Sequence, residues 1–123
     1  IVKAEYKGRS VLFTGDIDSE YEKKLVDIYG NIQEQSGAPG VGGLHSDILK
    51  IAHHGSKYSS SDDFLSAVAP SVSVIQVGRN LYGHPTSEAL ERIEEQGSLM
   101  FRNDTDGAVM VRLGRRMTVR TMK

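Results

Sequence analysis

The pattern of apolar and polar residues changes repeatedly along the chain between the period of a strand and that of a helix. Val2, Ala4 and Tyr6 alternate with charged residues, and a turn at 7–9 leads into the more continuous apolar run at 11–13. Alternation is typical of a strand with one exposed face, whereas a continuous run is typical of a buried strand. We therefore predict an edge strand that pairs with an inner strand.

Helical signals follow in three places. The first helix is predicted to begin at Ser19, with Glu22 three residues later as in a capping box, and to end near Tyr29, before Gly30. Its expected apolar side comprises Tyr21, Leu25, Val26 and Ile28 or Tyr29.

The second helix is predicted to open at the serine-rich residues 59–63 and to end before Pro70. The third is capped by Thr86 or Ser87 and stopped by Gly97. The side chains expected to face the core are Phe64, Leu65, Val68, Ala89, Leu90 and Ile93.

Apolar runs at 48–52 and 72–77 predict two further buried strands between these helices. The tail holds three short apolar segments, separated by turn-forming residues at 103–107 and 114–115, which predicts strands joined as hairpins. The whole order predicts an α/β fold, with a mixed sheet and helices on one face. The glycine-rich stretch 36–43 is predicted to be a flexible loop inside the single domain.

Composition excludes several classes of site. The chain has no cysteine, which rules out disulfides and thiolate ligands and leaves only nitrogen and oxygen donors for a metal. The net charge of -1 gives no general attraction to nucleic acid or anionic lipid, and no apolar run has the length of a membrane span. Because the chain starts on Ile and already in a strand pattern, we expect it to be a segment of a longer protein.

Three predicted loops at strand ends carry the candidate chemistry. The first follows the strand at 11–13 and holds Asp16 after a glycine. A carboxylate there can bridge two divalent ions, and the alternative is that Asp16 or Asp18 simply caps the next helix.

The second loop holds the sequence His53-His54-Gly55-Ser56. Neutral imidazole is the commonest metal ligand, and adjacent histidines project differently, so that one can bind metal while the other meets substrate or transfers a proton. Ser56 can donate a hydrogen bond to a ligand oxygen. The alternative is one histidine in the core and the other on the surface.

The third loop holds His84, with Arg79 and Asn80 near it in sequence. Arginine suits bidentate recognition of phosphate, and the helix that starts after the loop adds unpaired N–H groups. Equally, His84 could only pack against its neighbours. Five basic residues and no acid occupy 112–123, which suits either a phosphodiester backbone or the solvated face of a terminal hairpin.

Together, the stretches at 12–16, 47–56, 83–85 and 104–109 resemble the metallo-β-lactamase superfamily. Within it they are most similar to the metallo-β-lactamase-like domain of the ComEC family of DNA-internalisation competence proteins. The resemblance implies an αββα sandwich with two divalent metal ions, usually zinc and in some members manganese. It also implies a metal-dependent nuclease or phosphodiesterase that acts on single-stranded DNA during uptake in transformation.

By motif position, the resemblance makes Asp16 the bridging carboxylate and one of His53 and His54 the ligand of the second metal. His54 is favoured, because His-Gly-Ser matches the His-x-Ser form of this ligand in related nucleases. His53 then faces the substrate, while Ser56, Arg79 and His84 are candidates for contacting the phosphate.

The superfamily's first metal-binding signature, His-x-His-x-Asp-His, is absent from the chain. We therefore expect this chain to be the C-terminal half of such a domain, inactive and weak in metal binding by itself. Its expected partners are the missing N-terminal half and the membrane channel of the parent protein, which would place it at the membrane, on the extracellular face, without insertion of this segment. The alternatives are a non-catalytic module that binds phosphate or DNA or only packs, and a small-molecule hydrolase of the lactonase or phosphorylcholine-esterase type.

Overall fold

The structure, a computed structural model, describes residues 1–32 and 43–123. In chain order the elements are β1 (Val2–Tyr6), β2 (Arg9–Phe13), α1 (Ser19–Tyr29), β3 (Ile48–Lys50), α2 (Asp62–Val68), β4 (Val72–Ile75), α3 (Ser87–Glu95), β5 (Leu99–Arg102), α4 (Asn103–Asp106), β6 (Ala108–Arg112) and β7 (Thr118–Met122). The loop predicted at 36–43 lies, apart from Gly43, outside the described residues.

Five strands form one mixed sheet in the order β1-β2-β3-β4-β5. The edge strand β1 is antiparallel to β2, as predicted, and β2 to β5 run parallel. Parallel strands end at the same edge of a sheet, so the loops after β2, β3 and β4 emerge side by side. The prediction of an α/β fold with a mixed sheet is confirmed.

One face of the sheet and the helices share a continuous apolar core. The core takes alternate positions of β2 and β3, where Leu12 and Leu49 are buried, together with Ile75 at the end of β4. From the helices it takes Leu25, Phe64, Leu65, Val68 and Ile93. Among the side chains predicted for α2 and α3, Leu90 is half-buried and the others are buried.

The tail differs from the prediction of consecutive hairpins. β5 joins the main sheet beside β4, and only β6 and β7 form an antiparallel hairpin. The segment between β5 and β6 closes as a helical turn, because Asp106 accepts a hydrogen bond from the N–H of Arg102 at 2.7 Å and Asn103 donates to the carbonyl of Gly107 at 2.8 Å. The polar residues at 103–107 therefore form α4 rather than a hairpin turn.

The other face of the sheet is only partly covered. Val11 and Phe13 of β2 and Val74 of β4 line an open groove of about 530 Å³ together with Val109 and Val111 of the hairpin. The side chain of Phe13 is 47% exposed there. This face is therefore more open than the face that carries α1, α2 and α3.

The helix α1 spans Ser19–Tyr29 as predicted, but its cap differs from the predicted capping box. The cap is Asp18, whose carboxylate accepts a hydrogen bond from the N–H of Tyr21 at 2.9 Å, which confirms the alternative that Asp18 caps the helix. Glu22 is buried against a neighbouring loop and forms no capping box. Tyr21, which was predicted on the apolar side, is 50% exposed. Of the two alternatives Ile28 and Tyr29, Ile28 is 63% exposed and Tyr29 packs half-buried against the core.

The remaining boundaries shift by a few residues. β3 ends at Lys50 and β4 at Ile75, each two residues before the predicted end. A short turn of 3₁₀ helix, Ala52–Gly55, replaces the last part of the predicted strand at 48–52. Ser61 and Thr86 cap α2 and α3, in agreement with the sequence.

Candidate metal and phosphate site

The three loops that carry the predicted chemistry converge at the C-terminal edge of β2, β3 and β4. The N–H of His53 donates to the carbonyl of Gly15 at 3.0 Å, which ties the histidine loop to the loop of Asp16. The N–H of Thr86 donates to the carbonyl of Gly55 at 2.9 Å, which ties the same loop to that of His84. The structure thus brings the predicted site residues of three separate loops into one region.

The two adjacent histidines have an unusual backbone. His53 has φ 49° and His54 has φ 55°, both in the left-handed region. Histidine tolerates this region better than most residues, yet each such residue still costs about 1–3 kcal/mol and is typically found at functional sites. In this conformation the ring of His54 lies beside the carbonyl of Gln76, and the ring of His53 lies beside that of His84.

The ring of His54 is fixed by the backbone beside it. Its Nδ1 lies 2.6 Å from the carbonyl oxygen of Gln76, which assigns the proton to Nδ1 and leaves Nε2 as the free lone pair. Nε2 lies 3.8 Å from Oδ1 of Asp16. Metal-binding histidines characteristically donate their other N–H to a carbonyl or carboxylate in this way.

The pair of Asp16 and His54 fits part of a divalent metal site. With bonds of about 2.1 Å, two donors on one tetrahedral zinc ion stand roughly 3.4 Å apart, close to the distance between these two atoms. Both side chains are accessible, at 64% and 46% exposure. A catalytic zinc takes three protein ligands, and within residues 1–32 and 43–123 no group of three or more such side chains is placed to hold an ion.

His53 and His84 face each other beside this pair. Their ring centroids are 5.6 Å apart, with the planes at 79°. Burial lowers the pKa of His84, and the nearby His53 and His54 rings lower it further. The lowered pKa favours the neutral imidazole of His84, which can donate one hydrogen bond.

Asn80 organises the loop that carries Arg79 and His84. Its Nδ2 donates to the carbonyls of Gly78 and His84 at 3.0 and 2.8 Å, and its Oδ1 accepts from the N–H groups of Tyr82 and His84 at 3.0 and 3.1 Å. Four bonds from one side chain close the loop on itself. The sequence places Asn80 near the site but does not signal this structural role.

A pocket of about 550 Å³ lies between this loop and His54. Its lining includes His54, Gln76, Arg79, Tyr82 and His84. In the part of the chain that the structure describes, no hydrogen bond or ion pair engages the guanidinium of Arg79, which is exposed. The pocket can therefore take an anion between an arginine and histidine rings.

Ser56 is placed differently from the other candidates. Its side chain is buried, and its Oγ accepts a hydrogen bond from the N–H of Tyr58 at 3.2 Å. In this structure Ser56 shapes the turn after the histidines, so its contact with a substrate stays a prediction.

Lys50 is a neighbour of the site that the sequence analysis missed. Its Nζ lies 3.5 Å from the carbonyl oxygen of Gly15, next to Asp16. Burial lowers the pKa of the Lys50 ammonium, and the Asp16 carboxylate opposes this shift. The signal was available, because Lys50 is the one charged residue in the otherwise apolar stretch 48–52.

Several known proteins are similar in sequence to this chain. The chain is 39% identical over 109 residues to Competence protein ComA of Neisseria gonorrhoeae, across 88% of this chain and 14% of the relative. It is 33% identical over 103 residues to Recombination protein 2 of Haemophilus influenzae, across 83% and 11% of the two chains. It is 29% identical over 114 residues to ComE operon protein 3 of Bacillus subtilis, across 92% and 13%.

These relatives support a competence-related family. The chain matches only one segment of the competence-related proteins, since it spans 11–14% of their length. No family model matches the chain. Among the described residues, no helix is both long enough and apolar enough to cross a bilayer.

Proposed function

We propose that this chain is the C-terminal half of a metallo-β-lactamase-like domain that hydrolyses phosphodiester bonds of single-stranded DNA in a DNA-uptake protein. The observation that carries the proposal is the orientation of the His54 ring toward the carboxylate of Asp16. A carbonyl holds Nδ1 of His54, and Nε2 points to the carboxylate 3.8 Å away, on a backbone held in the left-handed region.

In this proposal Asp16 and His54 hold part of a pair of divalent ions, zinc or manganese. Such ions supply charge stabilisation for the phosphoryl oxygens and a nucleophile at neutral pH when they are bound. The carbonyl of Gln76 orients the ring of His54, and Gly15 lets the carboxylate of Asp16 project from the end of β2. The other ligands belong to a further segment of the parent protein.

The remaining side chains of the site act on the substrate. Arg79 attracts the phosphate and can bind it through two N–H groups. In this proposal His84 donates a hydrogen bond to a phosphate oxygen, and His53, whose ring lies edge-on to that of His84, is the proton donor to the leaving oxygen.

The open face of the sheet supports the idea of a missing half. In a sandwich, a second sheet covers this face. Here Phe13 and the groove of about 530 Å³ on this face are exposed. The much greater length of the relatives leaves room for that half and for a membrane channel, and the proposed location is the extracellular face of the membrane.

A second candidate is a non-catalytic module that binds the DNA backbone in the same pocket. Within residues 1–32 and 43–123 the count of metal ligands favours it, because Asp16 and His54 are two candidate ligands, whereas a catalytic zinc takes three. The two candidates differ in whether the longer protein turns over its substrate.

The test is a nuclease assay on the longer protein that contains this segment, with labelled single-stranded DNA and added zinc or manganese. Asp16→Ala and His54→Ala are expected to reduce cleavage by at least about 100-fold, since each removes a metal ligand. His45→Ala is the control, because the exposed His45 precedes β3, at the opposite end of that strand from His54, where its Nδ1 lies 3.1 Å from the carbonyl oxygen of Val68. Binding of DNA without cleavage would establish the module, and equal mild effects of all three changes would remove the metal site.

A further inference from the structure

Two exposed side chains project from the loop between β4 and α3. Leu81 is 103% exposed and Tyr82 is 84% exposed, more than any other large apolar side chain that the structure describes. A tyrosine that exposes most of its ring to water loses the free energy that burial would give it. An aromatic side chain exposed beside a pocket lined by an arginine and two histidines is placed to contact a ligand in that pocket.

Tyr82 lies on a loop that is held in place by hydrogen bonds. The backbone N–H of Tyr82 is itself held by Oδ1 of Asn80 at 3.0 Å, and the same oxygen holds the N–H of His84. Because Asn80 holds the backbone on both sides of Gly83, Tyr82 is held at the border of the pocket before any ligand arrives. A preorganised loop loses less conformational entropy on binding than a mobile one.

The ring also borders the candidate site. Its centroid lies 6.0 Å from that of His84, with the two planes tilted by 33°. It lines the same pocket as His54 and Arg79. An aromatic face, a guanidinium and the candidate metal ligand thus surround one space.

We propose that Tyr82 is the base-stacking residue of this site and holds the nucleobase that flanks the phosphate at His84 and Arg79. This inference rests on the proposed function and deepens it by assigning how a single strand is recognised. Every base has a π face, so an aromatic platform beside a cationic group binds single strands with little regard to sequence. Bases in a duplex are already stacked on each other, and a tyrosine platform therefore selects unpaired strands.

Binding of a fluorescent single-stranded oligothymidylate and of an abasic oligomer of the same length tests this assignment. Tyr82→Ala is expected to weaken oligothymidylate binding about tenfold and to leave binding of the abasic oligomer unchanged. Tyr82→Phe keeps the ring and is expected to keep the affinity. Tyr21→Ala is the matched control, because Tyr21 is also exposed, at 50%, but lies on α1 outside the pocket.

Arg79→Ala separates this inference from the proposed function. It is expected to weaken both oligomers equally, because the guanidinium meets the phosphate that they share. If Arg79→Ala behaves in this way but Tyr82→Ala matches Tyr21→Ala, the stacking role is overturned and the proposed function stands. If the unmodified protein binds neither oligomer, both are overturned. Loss of binding to phosphatidylglycerol vesicles in Tyr82→Ala, with oligothymidylate binding intact, would overturn stacking in favour of a lipid contact.

Discussion

At the residue scale, the site depends on backbone conformations that few residues adopt. His53 and His54 both have positive φ, and Gly55 continues the turn at φ +83°. The sequence could predict that a histidine pair at a strand end carries chemistry. It could not predict which ring meets Asp16, because that depends on the left-handed backbone and on the carbonyl of Gln76, which comes from a different strand end.

Gly55 gives the first prediction at this scale. A Cβ at this position would lie 2.5 Å from Cβ of Pro85, so the histidine loop and the His84 loop could not approach as they do. Gly55→Ala is expected to lower the free energy of unfolding by about 1–3 kcal/mol through overpacking. Urea unfolding of the chain measures this change.

Gly78→Ala is the matched control for that prediction. A Cβ there meets nothing within 4 Å, and no positive φ is required. Its effect is expected to stay within about 0.5 kcal/mol. Equal stabilities of the two variants would show that the contact between Gly55 and Pro85 is not tight.

At the scale of elements, a buried carboxylate connects α1 with the loop that follows the histidines. Glu22 accepts hydrogen bonds from the N–H groups of Ser60 and Ser61 at 2.6 and 2.9 Å. Arg92 of α3 donates to the carbonyls of Lys57, Ser59 and Ser60. Burial raises the pKa of Glu22, although the two N–H groups and Arg92 oppose the rise. Two helices thus hold the loop in place from both sides.

Removing this carboxylate is expected to destabilise the protein. Glu22→Ala leaves two inward-facing N–H groups without a partner, at a cost of about 2–4 kcal/mol in the free energy of unfolding. Glu22→Gln keeps an acceptor oxygen and is expected to cost less. Thermal and urea unfolding check both changes.

Glu20→Ala on the same helix provides the control. The side chain of Glu20 is 81% exposed and forms an exposed ion pair with Lys24, so the change is expected to cost less than about 0.5 kcal/mol. An equally small cost for Glu22→Ala would mean that Ser60 and Ser61 find other partners.

Glu22 also shows where the sequence stops being informative at this scale. The local sequence pattern predicted the helix and its end near Tyr29. The same pattern favoured a capping box that included Glu22. The true partners of Glu22 are 38 and 39 residues away, and local spacing carries no information about them. In the same way, β5 has the pattern of a hairpin strand, but tertiary pairing places it beside β4.

At the scale of the whole molecule, the order of elements was sufficient to predict an α/β fold with a mixed sheet, because alternating strands and helices favour parallel pairing. That order also brings the ends of β2, β3 and β4 together, so the convergence of Asp16, His54 and His84 follows from topology. What topology leaves open is the covering of the second face and the source of further metal ligands. Both belong to the proposed second half of the domain.

The most direct test of the account is the zinc content of the longer protein that contains this segment, measured after equilibration with zinc and gel filtration. His54→Ala is expected to lose bound zinc, whereas His53→Ala is expected to keep the zinc and lose turnover, because the proposed function makes His54 the metal ligand and places His53 toward the substrate. Loss of zinc in His53→Ala, with zinc retained in His54→Ala, would contradict the account.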